Sequence, residues 1–148
     1  MNLEKLVKNS KVNFYDDLSD EELRSTLYLK ISEILRLGVV CCEWARTRVM
    51  NKNIMNAILE ENNLSCKNET TEFLIDKTEF QNIVNEKLDI FTEYVKLEEN
   101  SLDILQKAIE CYAIDLLKEA KVQCKKRNNT FDIEPKDINL AKKIQNEC

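Results

Sequence analysis

An all-α fold is what the sequence predicts, and three observations carry that prediction. Apolar residues recur at three- and four-residue steps along two long stretches. The composition includes one Gly and one Pro among 148 residues, so helix breakers are almost absent. Each long stretch is flanked by shorter amphipathic ones.

The elements follow in chain order. LEKLVKNSKV places Leu3, Leu6 and Val7 on one side of a short helix and Lys5, Lys8 and Lys11 on the other. VNFYDDLSD reads as a loop, with Ser19 or Asp20 as the next cap and Glu21 and Glu22 in the first helical turn. A long helix carries Leu23, Leu27, Ile31, Ile34, Gly38, Cys41 and Ala45 on one face. At 1.5 Å per residue it is about 40 Å long. Arg46, Thr47 and Arg48 form a basic turn, and NKNIMNAILEEN supplies a short helix bearing Ile54, Ala57 and Ile58.

ENNLSCKNET, Glu61 to Thr70, is polar and turn-rich and reads as a tether. Beyond it, Leu102, Leu105, Ile109, Tyr112, Leu116 and Ala120 mark a second long helix that ends near the basic run Lys125-Lys126-Arg127. Asn128 and Asn129 favour a turn, and Thr130, Phe131, Asp132 and Ile133 form a short β-favouring stretch. Pro135 suits the first position of a last helix, with Asp137 near its positive end and Ile138, Ala141 and Ile144 on its buried face. A helix of this length between short ones has no core of its own, so the two long helices are expected to cross. Leu105, Ile109, Tyr112 and Leu116 then pack on Ile31, Ile34, Gly38 and Cys41, with Gly38 permitting close approach at the crossing.

Function classes narrow quickly. Without His and with so little Gly, histidine-based catalysis and glycine phosphate loops are excluded. The numerous carboxylates form no motif that holds a pair together, so an enzyme is not expected. Cys41, Cys42, Cys66, Cys111, Cys124 and Cys148 have no CxxC spacing, which implies buried or incidental thiols in a reducing compartment rather than a disulfide framework or zinc site. No apolar run reaches the length of a membrane span, and MNLEKLVKNSKVNFYDD lacks a signal core, so an intracellular protein is expected. The net charge of −5 argues against a simple nucleic-acid binder, although local patches can still bind.

FDIEPKDINLAKKIQNE resembles the end of core histone three, and TEFLIDKTEFQNIVNEKLDIF, Thr71 to Phe91, resembles that histone's first fold helix. PKDINLAKKI and FLIDK..FQ..V stand at the family's separation with one inserted residue between Ala120 and Asn129. LSDEELRSTLYLKISEILRLGVVCCEWAR, Leu18 to Arg46, is similar to the long helix of core histone four, through Glu21, Glu22, Arg24, Leu27, Arg36, Val39, Glu43 and Ala45. The resemblance implies a fused doublet: a histone-four-like fold over 1–61, a linker over 62–70 and a histone-three-like fold over 71–148. Two histone folds in one chain would then form an intramolecular handshake pseudodimer.

Such a doublet resembles those of large DNA viruses, and the Asn, Lys and Ile richness fits an AT-rich genome. The implied function is DNA packaging in a nucleosome-like particle, in the host nucleus, a viral factory or the virion. The implied partners are double-stranded DNA, a second copy through the three-like half, and other histones or a second doublet. No cofactor, metal, membrane or small-molecule substrate is expected. A non-nucleosomal histone-fold subunit of a transcription or assembly factor is the competing reading.

Site residues carry over by position. The basic residues at the paired loops and first-helix ends are Lys5, Lys8, Arg46, Arg48, Lys77, Lys96 and Lys136, with Lys125, Lys126 and Arg127 nearby. Asp76, Asn82, Asn85 and Thr130 stand where the family has arginine, and Phe14 replaces the arginine of the first loop, so weaker DNA contact is expected. No stretch of the sequence matches the family's basic tails, so tail-mediated compaction is not expected. Asp137, Leu140 and Lys143 match the self-association surface. The inserted residue leaves open whether Cys124 and Arg127, or Gln123 and Lys126, take the family's cysteine and histidine positions there.

Overall fold

Six helices run through the described residues as a long helix flanked by shorter ones, twice. The computed structural model describes residues 1–64, 72–128 and 132–146. Most of the expected tether, the Thr130 and Phe131 of the β-favouring stretch, Cys66 and Cys148 lie outside the described residues. The first set is α1 (Glu4–Asn9), α2 (Asp17–Ala45) and α3 (Lys52–Glu61); the second is α4 (Lys77–Phe91), α5 (Glu99–Asn128) and α6 (Pro135–Asn146). Two-residue strands β1 (Asn13–Phe14), β2 (Val49–Met50), β3 (Lys96–Leu97) and β4 (Asp132–Ile133) sit in the loops between them. The chain is all-α in class.

Short side chains fix where the helices start. Asp16 caps α2 by accepting from the Leu18 N–H at 3.0 Å, so the helix begins upstream of the expected Ser19 or Asp20. Ser19 is instead buried and donates its hydroxyl to the Ile133 carbonyl at 2.6 Å. Asn51 caps α3 through the Ile54 N–H at 3.0 Å, and Asp76 caps α4 through the Thr78 N–H at 2.8 Å. The helix expected from Thr71 therefore begins only at Lys77.

The segment before α4 is held by a group the sequence reading passed over. Glu110, buried in the middle of α5, accepts the Leu74 and Ile75 N–H groups at 3.0 and 3.1 Å. Gln106, one turn earlier, donates to the Ile75 carbonyl at 2.7 Å and to Glu110 at 3.1 Å. A buried carboxylate with three donors is satisfied, and it substitutes for backbone pairing that an extended segment otherwise lacks.

The long helices meet at their middles: the Lys30 ammonium lies 5.1 Å from the Tyr112 ring centroid. Leu23, Leu27, Ile31 and Ile34 of α2 and Leu105, Ile109, Leu116 and Ala120 of α5 are fully buried, while Leu102 and Tyr112 are half-buried. Helices pack crosswise, α1 against α5 and α4 against α2, so each set closes over the other set's long helix. The loops pair crosswise too. β1 is parallel to β4, Asn13 opposite Asp132 and Phe14 opposite Ile133. β2 is parallel to β3, Val49 opposite Lys96 and Met50 opposite Leu97.

Three packing expectations change. Cys41 and Ala45 are exposed, and Leu35, Val39 and Cys42 are buried instead. Ala57 is exposed, with Met55 and Leu59 inside beside Ile58. Gly38 does not serve the crossing: a Cβ there would lie 2.5 Å from Met50 Sδ and 3.5 Å from Ile58 Cδ1, so it makes room for β2 and α3. Cys111 is disulfide-bonded, whereas Cys41 and Cys42 carry free thiols and the buried Cys124 thiol donates to the Asp132 carbonyl at 3.1 Å. The expectation of incidental thiols thus fails at Cys111. No described helix is long and apolar enough to cross a membrane.

Gly38→Ala should cost under about 1 kcal/mol, because the flexible end of Met50 can swing aside and helix propensity is regained. Gly38→Leu should cost more than about 3 kcal/mol, since Met50 and Ile58 leave no space for it. Glu110→Leu should lower stability by about 2–3 kcal/mol by stranding the buried Ile75 N–H and the partly buried Leu74 N–H. Urea melts of the three variants check all three values.

Candidate nucleic-acid interface

Crosswise loop pairing gives the molecule two ends, and the basic candidates divide between them. At the first, α2 stops because Arg46 takes the left-handed conformation, φ 54°, and the Thr47 N–H turns back to the Cys42 carbonyl at 3.0 Å. This sharp exit points the chain into β2. The Lys96 N–H then donates to the Arg48 carbonyl at 2.8 Å and the Glu98 N–H to the Met50 carbonyl at 3.2 Å. Thr92 shapes the approach of the other strand, its hydroxyl oxygen accepting from the Tyr94 and Val95 N–H groups at 3.1 and 3.2 Å.

Arg46, Arg48 and Lys96 are thereby gathered at one loop pair, all exposed. None of the three has a carboxylate within ion-pair distance among the described residues. The Arg48 guanidinium lies 5.7 Å from the ring centroid of exposed Tyr94, which orients it without neutralising it. Three free cations at one notch are suited to phosphate.

The second end differs. Arg127 is not a free cation: its Nε and Nη2 donate to Asp137 at 3.1 and 3.0 Å, and Nη2 pairs with Glu134 at 2.7 Å. Asp137 is 2% exposed and also accepts the Glu134 N–H at 2.9 Å, joining the end of α5 to the start of α6. Burial pushes the Asp137 carboxyl up, but the Arg127 hydrogen bond, the Glu134 amide and the Arg127 charge together hold it below its ordinary value. The Asp137 hydrogen bond raises the Arg127 guanidinium in turn. Lys136 also pairs with Glu134, at 3.4 Å. Across the β1–β4 pair stand exposed Asp16 and Asp17.

Of the remaining candidates, Lys125 and Lys126 are exposed near the end of α5, and Lys5 is exposed on α1. Lys8 pairs with Glu4 at 3.3 Å, an exposed contact that costs little to exchange for phosphate. Lys77 pairs with Asp103 at 3.1 Å and lies over the Phe73 ring, which Lys107 covers as well. Lys121 was overlooked: its ammonium donates to the Lys11 carbonyl at 3.2 Å, joining the end of α1 to α5. Its sequence signal is its i+4 step to Lys125, but only the fold reveals that Lys11 comes to the same place. Leu140 and Lys143 are exposed on α6, whereas Asp137 is occupied internally.

No family model matches the chain. Among the described residues, no group of three or more His, Cys, Asp or Glu side chains could hold a metal ion.

Two outcomes follow from this asymmetry. Reversing Arg46, Arg48 and Lys96 to Glu should weaken DNA binding more than reversing Lys125 and Lys126, read as titrations at fixed salt. Arg46→Gly should weaken binding without loss of stability, because glycine favours the left-handed conformation. Because the Asp137 carboxyl is depressed in the fold, its stabilisation is complete above the unfolded carboxylate range and disappears as pH falls below about 4. Asp137→Asn should abolish that acid-dependent loss and cost about 1–3 kcal/mol at neutral pH, measured by urea melts across pH.

Proposed function

We propose that the chain is a fused histone doublet, histone-four-like then histone-three-like, that packages DNA in a nucleosome-like particle. In this reading the crossed long helices are an intramolecular handshake of two histone folds, and the tether keeps the halves at high effective concentration. The observation that carries it is the notch at the β2–β3 pair, where Arg46, Arg48 and Lys96 converge from opposite halves with no carboxylate partner among the described residues. The sequence resemblance supplies the rest: double-stranded DNA as ligand, a second copy meeting the chain through α5 and α6, and other histones or a second doublet completing the particle. A viral source, with packaging in a viral factory, host nucleus or virion, belongs to the same reading. No catalytic role is proposed.

A specific observation favours a second reading, a non-nucleosomal histone-fold subunit of a transcription or assembly factor. The chain carries a net charge of −5, and Arg127 is neutralised internally.

The salt dependence of DNA affinity decides between them. Each phosphate contact contributes about 0.9 to the slope of log affinity against log salt, so removing Arg46, Arg48 and Lys96 should flatten it by roughly 2–3 units. A slope near zero in the unmodified chain, or co-purification with transcription factors in place of DNA and a second doublet, would sink the packaging reading.

A further inference from the structure

Aromatic and basic side chains alternate along the two segments that meet at the β2–β3 pair. Trp44 stands in the last turn of α2, two residues before Arg46 and four before Arg48, and Tyr94 stands two residues before Lys96. Trp44 and Tyr94 are 86% and 67% exposed, and Val49 is exposed as well. The left-handed turn at Arg46 leads the chain from α2 straight into β2, so both rings belong to the end that carries the notch. Arg48, 5.7 Å from the Tyr94 ring centroid, sets a planar cation beside one of them across the two strands.

Charge alone does not account for these rings. Arg46, Arg48, Lys96 and Lys52 are balanced at this end by exposed Glu43, Glu93 and Glu99 and half-buried Glu98, so the pull on a phosphate chain from a distance is small. A duplex keeps its base faces stacked on one another and can use only the cations. An unpaired strand offers its base faces too, and a base stacked on an exposed ring adds affinity whatever the base. We propose that the notch binds single-stranded DNA, its bases stacked on Trp44 and Tyr94 and its phosphates held by Arg46, Arg48 and Lys96. This inference rests on the reading above in one respect, that the notch takes DNA, and it changes the strand state that the notch prefers.

The preference for DNA over RNA follows from the hydroxyls. Thr47 accepts the Val49 N–H at 3.2 Å, and Thr92 accepts the Tyr94 and Val95 N–H groups at 3.1 and 3.2 Å. Both threonines at the notch are thus turned to the backbone. Exposed Val49 suits deoxyribose and the thymine methyl group better than a 2′-hydroxyl, which needs a polar partner.

Titrations of the full chain at one salt concentration test it, with oligothymidylate of about ten nucleotides and with oligouridylate and a DNA duplex of equal length. Trp44 is the only tryptophan in the chain, so its fluorescence reports stacking directly. Oligothymidylate should quench that emission and bind more tightly than the duplex or oligouridylate. Trp44→Ala and Tyr94→Ala change exposed side chains, so both variants should keep the helical circular dichroism of the parent. Each should weaken oligothymidylate binding about tenfold or more, read by the anisotropy of a labelled strand, and leave duplex affinity unchanged. Tyr94→Phe keeps the ring and should bind as the parent does. Emission that stays constant at saturating oligothymidylate, a duplex or oligouridylate bound at least as tightly, or alanine variants that hold single strands like the parent would each overturn the proposal. Duplex binding that survives any of these results leaves the packaging reading standing, whereas a chain that binds neither form of DNA sinks both.

Discussion

The place where Lys30 lies over Tyr112 marks the constraint on which the rest of the structure depends, the crossing of α2 and α5 at their middles. Each helix has an apolar band too long for its own short neighbours to cover, so each must be closed by the other half of the chain. That is why α1 packs on α5 and α4 on α2, and why the loops pair crosswise, β1 with β4 and β2 with β3. Two residues of parallel strand contribute little by themselves, but at opposite ends of the crossing they fix its direction. Loss of the crossing would separate Arg48 from Lys96 and dismantle the notch with the core.

Local polar groups then set the accuracy of the ends. Asp16, Asn51 and Asp76 cap helices, and Ser19 reaches across to the Ile133 carbonyl. Glu110 holds the approach to α4 through two backbone amides. Arg127 is used in the same way, to hold α6 against α5 through Asp137 and Glu134. A cation committed to two carboxylates at an internal joint has little left to offer phosphate, whereas Arg46, Arg48 and Lys96 perform no such internal task.

The short, long, short order, the positions of both long helices and the central apolar residues were legible in the sequence, because helical periodicity survives whatever the helix packs against. What was not legible is which side wins where two partners compete. Near the end of α2 the band turns toward β2 and α3, burying Val39 and Cys42 and leaving Cys41 and Ala45 outside. Gly38 lies on that band in the sequence, but the atoms that need its missing Cβ belong to Met50 and Ile58. Lys125, Lys126 and Arg127 looked like one basic run. Successive helix positions diverge by about 100°, so one of three neighbours could face Asp137 while the others faced water.

Net charge is the weakest of the sequence arguments, for a reason the fold supplies. A formal sum counts Glu110, which is buried among donors, and Asp137 and Glu134, which are spent on Arg127, equally with carboxylates in open water. It counts Asp16 and Asp76 too, although each faces the positive end of a helix dipole. A phosphate approaching the β2–β3 notch feels mainly what lies within a Debye length of about 8 Å. There the three unpaired cations are opposed by whichever of Glu93, Glu98 and Glu99, close to Lys96 in the chain, turn toward the same face. The acidity of the whole chain thus lowers affinity at a distance without deciding whether the notch binds, and the local balance between these two groups of three sets its strength.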